Sequence, residues 1–181
     1  MRSPTLADHA AIGIESASLY RQVEQTALTD DLMGLGNTRH FHRMLPALLA
    51  RGGPLSLLVL DLDGLKTVVD RYGHLVGSRA IADVGRVIAA RRRPGDVAAR
   101  FGGDEFVVIL PATDTGAARA ITEELREAIA SCPVPGDPEA KITASVGVAT
   151  FPDHAGNGEE LFRADDEASS PSSGARRTEW R

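Results

Sequence analysis

The stretch Val97-Ala98-Ala99-Arg100-Phe101-Gly102-Gly103-Asp104-Glu105-Phe106-Val107-Val108-Ile109-Leu110-Pro111 decides how this chain is read. Apolar runs stand on both sides of a Gly-Gly pair, which reads as two strands joined by a tight hairpin. Gly102 and Gly103 can take positive φ and carry no Cβ, so the backbone turns sharply and a ligand can come close. Such a hairpin is ordinary by itself. What distinguishes it is the acid pair Asp104 and Glu105, because carboxylates at a turn can hold a hard divalent cation and, through it, a phosphate.

Upstream, Leu55-Ser56-Leu57-Leu58-Val59-Leu60 reads as a buried strand and ends in Asp61-Leu62-Asp63-Gly64-Leu65-Lys66. Two readings of that turn stand side by side. Asp61 and Asp63 either present oxygen ligands for Mg²⁺ or cap the helix that follows. The amides of Gly64 and Leu65, opening that helix, can face phosphate oxygens. A second acidic turn in one small domain favours a metal shared with Asp104.

The 181 residues leave room for one domain and an extra element. A hydrophobic content of 43% supports a core built from Ala, Val, Leu and Ile, since aromatic residues make up only 4%. The net charge of −5 argues against a nucleic-acid partner. Arg91-Arg92-Arg93 in an acidic chain is read as a local anion site or a solvated face. No apolar run has the length of a membrane span, and the single cysteine, Cys132, fits a reducing cytoplasm.

Residues 5–28 read as one long helix with heptad-like spacing of Leu6, Ala10, Ile14, Ala17, Val23 and Ala27. It either forms a coiled linker or packs on its own domain. Asp30 to Asn37 is expected to be a Gly-rich turn before a helix from Thr38 to Ala50. Further helices are expected over Gly64–Tyr72, Val76–Arg92 and Thr115–Ser131, with a last strand over Ile142–Thr150. The predicted fold is α+β, a mostly antiparallel sheet flanked by helices. Residues 1–29 are assigned to the N-terminal helix, 30–165 to the domain, and 166–181, rich in Ser, Pro and Gly, to a disordered tail.

Taken in order, Asp30-Asp31-Leu32-Met33-Gly34-Leu35-Gly36-Asn37, Asp61-Leu62-Asp63, Tyr72-Gly73-His74, Gly102-Gly103-Asp104-Glu105-Phe106 and Thr143-Ala144-Ser145-Val146-Gly147-Val148-Ala149 resemble the GGDEF family of diguanylate cyclases. The resemblance runs from about Leu28 to Arg163. It implies a nucleotidyl-cyclase-like fold, related to the ferredoxin-like plan, and condensation of two GTP into cyclic di-GMP with release of pyrophosphate. It also implies a cytoplasmic homodimer in which each domain holds one nucleotide. The N-terminal helix is similar to the end of a GAF sensor domain, so an upstream sensor is expected in a full-length relative.

Carried over by motif, Asp61, the Leu62 carbonyl and Asp104 hold Mg²⁺ (or Mn²⁺), and Asp104 and Glu105 are catalytic. The nucleotide falls to Gly64, Leu65, Lys66, Val69, Ser78, Gly102, Gly103 and Arg176. Arg93-Pro94-Gly95-Asp96 matches the family's Arg-x-x-Asp inhibitory product site. There Arg93 can fork onto a guanine edge or phosphate, while Asp96 can accept from guanine N–H groups. The other reading of that segment is a helix-end arginine followed by a turn aspartate.

Several positions depart from the family pattern. Val69 stands where Asn commonly reads guanine, and Ser78 where an Asp does. Ser78 is similar to the hybrid promiscuous branch, which also accepts ATP. Met33 and Thr38 replace a usual Thr and Arg and are expected to loosen the early turn. Near the end, Ser172 takes the place of a phosphate-binding Lys, a loss worth about 1–3 kcal/mol of triphosphate binding. The alternative reading is a catalytically impaired module that acts as a cyclic di-GMP receptor or a dimerising relay.

Overall fold

The computed structural model describes residues 28–30, 33–137 and 139–161. The long N-terminal helix, the Ser/Pro/Gly-rich tail and Arg176 lie outside the described residues. Among the described residues ten elements follow in order: β1 (Thr29–Asp30), β2 (Leu35–Asn37), α1 (Thr38–Leu49), β3 (Leu55–Asp63), α2 (Leu65–Tyr72), α3 (His74–Arg91), β4 (Val97–Arg100), β5 (Glu105–Pro111), α4 (Thr115–Ala130) and β6 (Thr143–Phe151). The expected mixed α+β plan is what forms.

The strands make one sheet of six, in the order β1-β2-β4-β5-β3-β6. Every pairing is antiparallel except β2 with β4. β3 and β5 are central and covered on both faces, which is why they read as unbroken apolar runs rather than alternating ones. Alternation still sorts their side chains. Leu58, Leu60 and Leu62 join Phe106, Val108 and Leu110 in a core with α2, α3 and α4. Leu55 and Leu57 join Val107 and Ile109 in a second core with Phe41, Leu45 and Leu48 of α1.

The early segment departs from expectation. Asp30 to Asn37 is not only a turn, because Leu35–Asn37 adds a parallel strand beside β4, with Gly36 opposite Ala99 and Asn37 opposite Arg100. Met33 does not loosen it: the side chain is buried and lies over Gly85, where an added Cβ would come within 2.3 Å of Met33 Sδ. Asn37 caps α1, its side chain accepting from the His40 amide at 3.1 Å. The α2–α3 junction turns at Gly73 with φ of 84°, and His74 opens α3.

Candidate active site

β3 and β5 carry the acidic positions to one end of the sheet. In their ladder Asp61 lies directly opposite Glu105. Just beyond, the Leu62 amide donates to the Asp104 carbonyl at 3.2 Å, so the two acidic turns are tied backbone to backbone. Opposed like charges in a ladder are destabilising without a cation. The electrostatics agree: the Asp61 carboxyl is pushed up to about 6, first by burial and then by Asp104, Glu105 and Asp63.

The alternative that Asp61 and Asp63 cap α2 does not hold. Gly64 occupies the N-cap in the left-handed region at φ 82°, and no side chain caps the helix. Asp63 faces β6 instead, accepting from Thr143 Oγ1 at 3.1 Å and from Ser145 Oγ at 3.0 and 3.1 Å. The first amides of α2, at Leu65 and Lys66, are thereby left without a side-chain acceptor beside the carboxylates, which suits an anionic ligand.

The signature turn works differently from its sequence expectation. Neither Gly102 nor Gly103 is among the glycines at positive φ. Gly102 leaves room for the signature glutamate: a Cβ there would come within 2.5 Å of Glu105 Oε2, because the glutamate folds back over it. Gly103 has open space above it. Two contacts that sequence reasoning missed brace the turn. Arg100 Nε donates to the Gly102 carbonyl at 3.0 Å and its Nη2 to the Gly103 carbonyl at 2.8 Å. Thr38 Oγ1 donates to the Phe101 carbonyl at 3.1 Å, so this residue fastens α1 to the hairpin rather than loosening anything.

The donor set fits a hard cation. Among the described residues no group of three or more acidic, His or Cys side chains could hold a metal alone. Asp61 and Asp104 with the Leu62 carbonyl would supply a partial shell. That is the usual condition for Mg²⁺, which completes its octahedron with substrate phosphate and water.

Val69 and Ser78 lie on the neighbouring helices α2 and α3. Val69 is half-buried and lies over Gly77, where an added Cβ would be 2.5 Å from Val69 Cγ2; Ser78, the next residue, is exposed.

Arg93-Pro94-Gly95-Asp96 forms a tight turn on the far side of β4. The Asp96 amide donates to the Arg93 carbonyl at 3.0 Å, and Gly95 takes φ of 98°. Pro followed by a positive-φ Gly is the composition of a type II turn. The Asp96 carboxylate is turned inward onto Arg93, and its side chain is only 5% exposed. Cys132 is half-buried, and burial pushes its thiol pKa up, the opposite of a reactive cysteine.

A mixed sheet thus presents paired carboxylates beside an uncapped helix start. The "Diguanylate cyclase, GGDEF domain" family model matches residues 27–177, and the chain belongs to that family. Diguanylate cyclase DgcP of Pseudomonas aeruginosa is 43% identical over 150 residues, covering 80% of this chain and 22% of DgcP. The response regulator PleD of Caulobacter vibrioides is 33% identical over 150 residues, covering 79% of this chain and 33% of PleD. The crystal structure of the coiled coil and GGDEF domain of DgcB from Caulobacter crescentus, in complex with c-di-GMP, matches with a TM-score of 0.82 at 30% identity. That match covers 91% of this chain and 90% of DgcB's. The chain spans between 22% and 40% of the length of the curated relatives it matches. Cyclases of the family are generally dependent on a divalent metal. Among the described residues no helix is long and apolar enough to cross a membrane.

Proposed function

We propose that this domain is a diguanylate cyclase that condenses two GTP into cyclic di-GMP. The observation that carries the reading is the juxtaposition of Asp61 and Glu105 across one ladder, with Leu62 bonded to Asp104 beside it. Each ribose 3′-hydroxyl attacks the α-phosphate of the other nucleotide, forming a phosphodiester and releasing pyrophosphate. Mg²⁺ or Mn²⁺ bound by Asp61, Asp104 and the Leu62 carbonyl would neutralise phosphate charge.

The chain's own residues do the rest. Amides of Gly64, Leu65 and Lys66 hold phosphate oxygens, and Lys66 adds a cation. Gly102 and Gly103 let the nucleotide approach the protein backbone, and Glu105 supports the step beside the metal ligands. Val69 and Ser78 face the base, and Arg176 is assigned to the triphosphate. One domain holds one nucleotide, so the active species is a homodimer with two half-sites facing each other. A sensor upstream of the domain and a cytoplasmic location, where GTP is supplied, complete the proposal.

Ser78 extends the substrate range to ATP. A serine hydroxyl donates or accepts, whereas a carboxylate only accepts and selects the adjacent N–H donors of guanine. The second reading, a cyclic di-GMP receptor without turnover, draws on the Val69–Gly77 contact, which fills with methyl groups a place that commonly reads the base. Incubating the chain with Mg²⁺ and GTP, ATP, or both, and separating products by chromatography, tests these readings. Cyclic di-GMP, or a mixed product, supports the cyclase. No product from a folded dimer that still binds cyclic di-GMP supports the receptor.

A further inference from the structure

Arg93 is gripped from two directions. The turn supplies the first hold: Asp96 Oδ2 accepts from the Arg93 amide at 2.9 Å and from Nε at 3.2 Å, and Oδ1 accepts from Nη2 at 3.3 Å. The second hold comes from outside the Arg-x-x-Asp motif. Arg93 Nη2 also donates to Thr113 Oγ1 at 2.9 Å, and that hydroxyl donates onward to the Pro111 carbonyl at 3.0 Å. Thr113 is 2% exposed, so its hydroxyl has no freedom to leave for solvent.

Thr113 is anchored in its turn. Its carbonyl accepts from Ser56 Oγ at 2.9 Å, and Ser56 Oγ is hydrogen-bonded to Thr150 Oγ1 at 2.9 Å. Ser56 and Thr150 are both fully buried and are register partners of β3 and β6. Buried Ser56 thus anchors the backbone of the residue whose hydroxyl meets the guanidinium.

A guanidinium has five N–H donors in a fixed plane. Here Nε serves Asp96, and the two Nη2 hydrogens serve Asp96 and Thr113. Among the described residues Nη1 has no partner, and the Arg93 side chain is 49% exposed. The clamp therefore consumes three donors and presents the remaining pair, on Nη1, to solvent. Each hydrogen of that pair can make a single charge-assisted hydrogen bond to a phosphate oxygen or to guanine O6 or N7.

We propose that Thr113 is a positioning residue for the product site, its buried hydroxyl fixing the Arg93 plane so that Nη1 meets a guanine edge or phosphate of a cyclic dinucleotide. The inference rests on the reading of Arg93 and Asp96 as the product site. Asp96 acts here mainly as the holder of Arg93, because a carboxylate so covered has little surface left for a ligand.

The test is titration calorimetry of the full chain with cyclic di-GMP, alongside thermal melts. Thr113→Val should weaken binding about tenfold, the loss of roughly 1.4 kcal/mol of orientation, and Thr113→Ser should recover most of it. Thr113→Ala replaces the Val variant should the latter not fold. Ser56→Ala is the structural control: it should lower the melting temperature with little change in cyclic di-GMP affinity. Full affinity in Thr113→Val or Thr113→Ala, with Arg93→Ala losing binding, overturns the positioning role alone. An Arg93→Ala chain that binds as the parent does, or a parent that does not bind, overturns the product-site reading and the inference with it. Affinity that falls with melting temperature in Ser56→Ala as in Thr113→Val would reduce Thr113 to a structural residue.

Discussion

Asp61 and Glu105 are direct partners in the β3–β5 ladder, so their side chains leave the sheet on the same side at the end where the Asp104 turn begins. Nature places two carboxylates so only at a cost in stability. Burial first, and the neighbouring carboxylates second, raise the Asp61 pKa to about 6 from an ordinary 3.8, and that shift sets the first prediction. The sign follows from linkage. The folded state holds the Asp61 proton more tightly than the unfolded chain does, so without metal stability falls as pH rises from about 4 to about 6 and stays low above. Thermal melts without metal should show a higher midpoint at pH 5 than at pH 7.5 from this group. Mg²⁺ should raise the midpoint at pH 7.5 and do so far less at pH 5. Asp61→Asn should raise the metal-free midpoint at pH 7.5 and abolish the Mg²⁺ response. A metal-free midpoint unaltered by Asp61→Asn would remove the argument from charge crowding.

The two signature glycines should separate. Gly102→Ala puts a Cβ 2.5 Å from Glu105 Oε2, the far end of a flexible side chain. The glutamate can move away, so the fold should survive with about 1 kcal/mol lost or less, while turnover falls by about a hundredfold or more as the carboxylate leaves its place. Gly103→Ala meets no atom of the protein and should melt like the parent. Any drop in its turnover would then report contact with substrate. Equal melting temperatures and equal rates for the parent and Gly102→Ala would show that Glu105 has no fixed role.

Base selection should respond to Val69 and Ser78 unequally. Ser78 is exposed on α3, so Ser78→Asp should leave stability near the parent and raise preference for GTP over ATP by about tenfold, the worth of one well-placed acceptor. Val69→Asn adds a reader but removes methyl packing against Gly77, so it should cost about 1 kcal/mol of stability. Competition assays with both nucleotides and separation of the cyclic products measure the ratio. No change in Ser78→Asp would place the base elsewhere.

What was legible in the sequence was local. The apolar runs of β3 and β5, the Gly-Gly pair and the Asp-Leu-Asp-Gly turn carry their signals within a few residues. The 3.6-residue period marked α4, whose start at Asp114 accepting from the Ala117 amide at 2.8 Å is a short-range cap. The short strand β2 was missed because its three residues pair with a strand some sixty positions away, and no period exists over so short a span. Thr38, Arg100 and Thr113 were missed or misjudged for a related reason. Each acts through a side-chain hydrogen bond to backbone or to a distant side chain, and a lone hydroxyl or guanidinium gives no pattern from which to foresee its partner.

The Pro94-Gly95 pair should prove as necessary to the product site as the charged residues that flank it. Gly95 sits at φ of 98°, a conformation in which an L side chain is strained, and the turn it closes brings Asp96 back onto the Arg93 amide and guanidinium. Gly95→Ala should therefore cost about 1 kcal/mol in stability through backbone strain alone. Its larger effect should be on ligand binding, because a reopened turn releases Asp96, and the guanidinium then swings on the single hold at Thr113. Calorimetry should find cyclic di-GMP affinity reduced at least as much as in Thr113→Val. Gly95→Asn, a residue that tolerates positive φ better than Ala, should fall between Gly95→Ala and the parent. Were Gly95→Ala to bind as tightly as the parent, the turn would not be what orients Arg93, and Thr113 would be left to hold it alone.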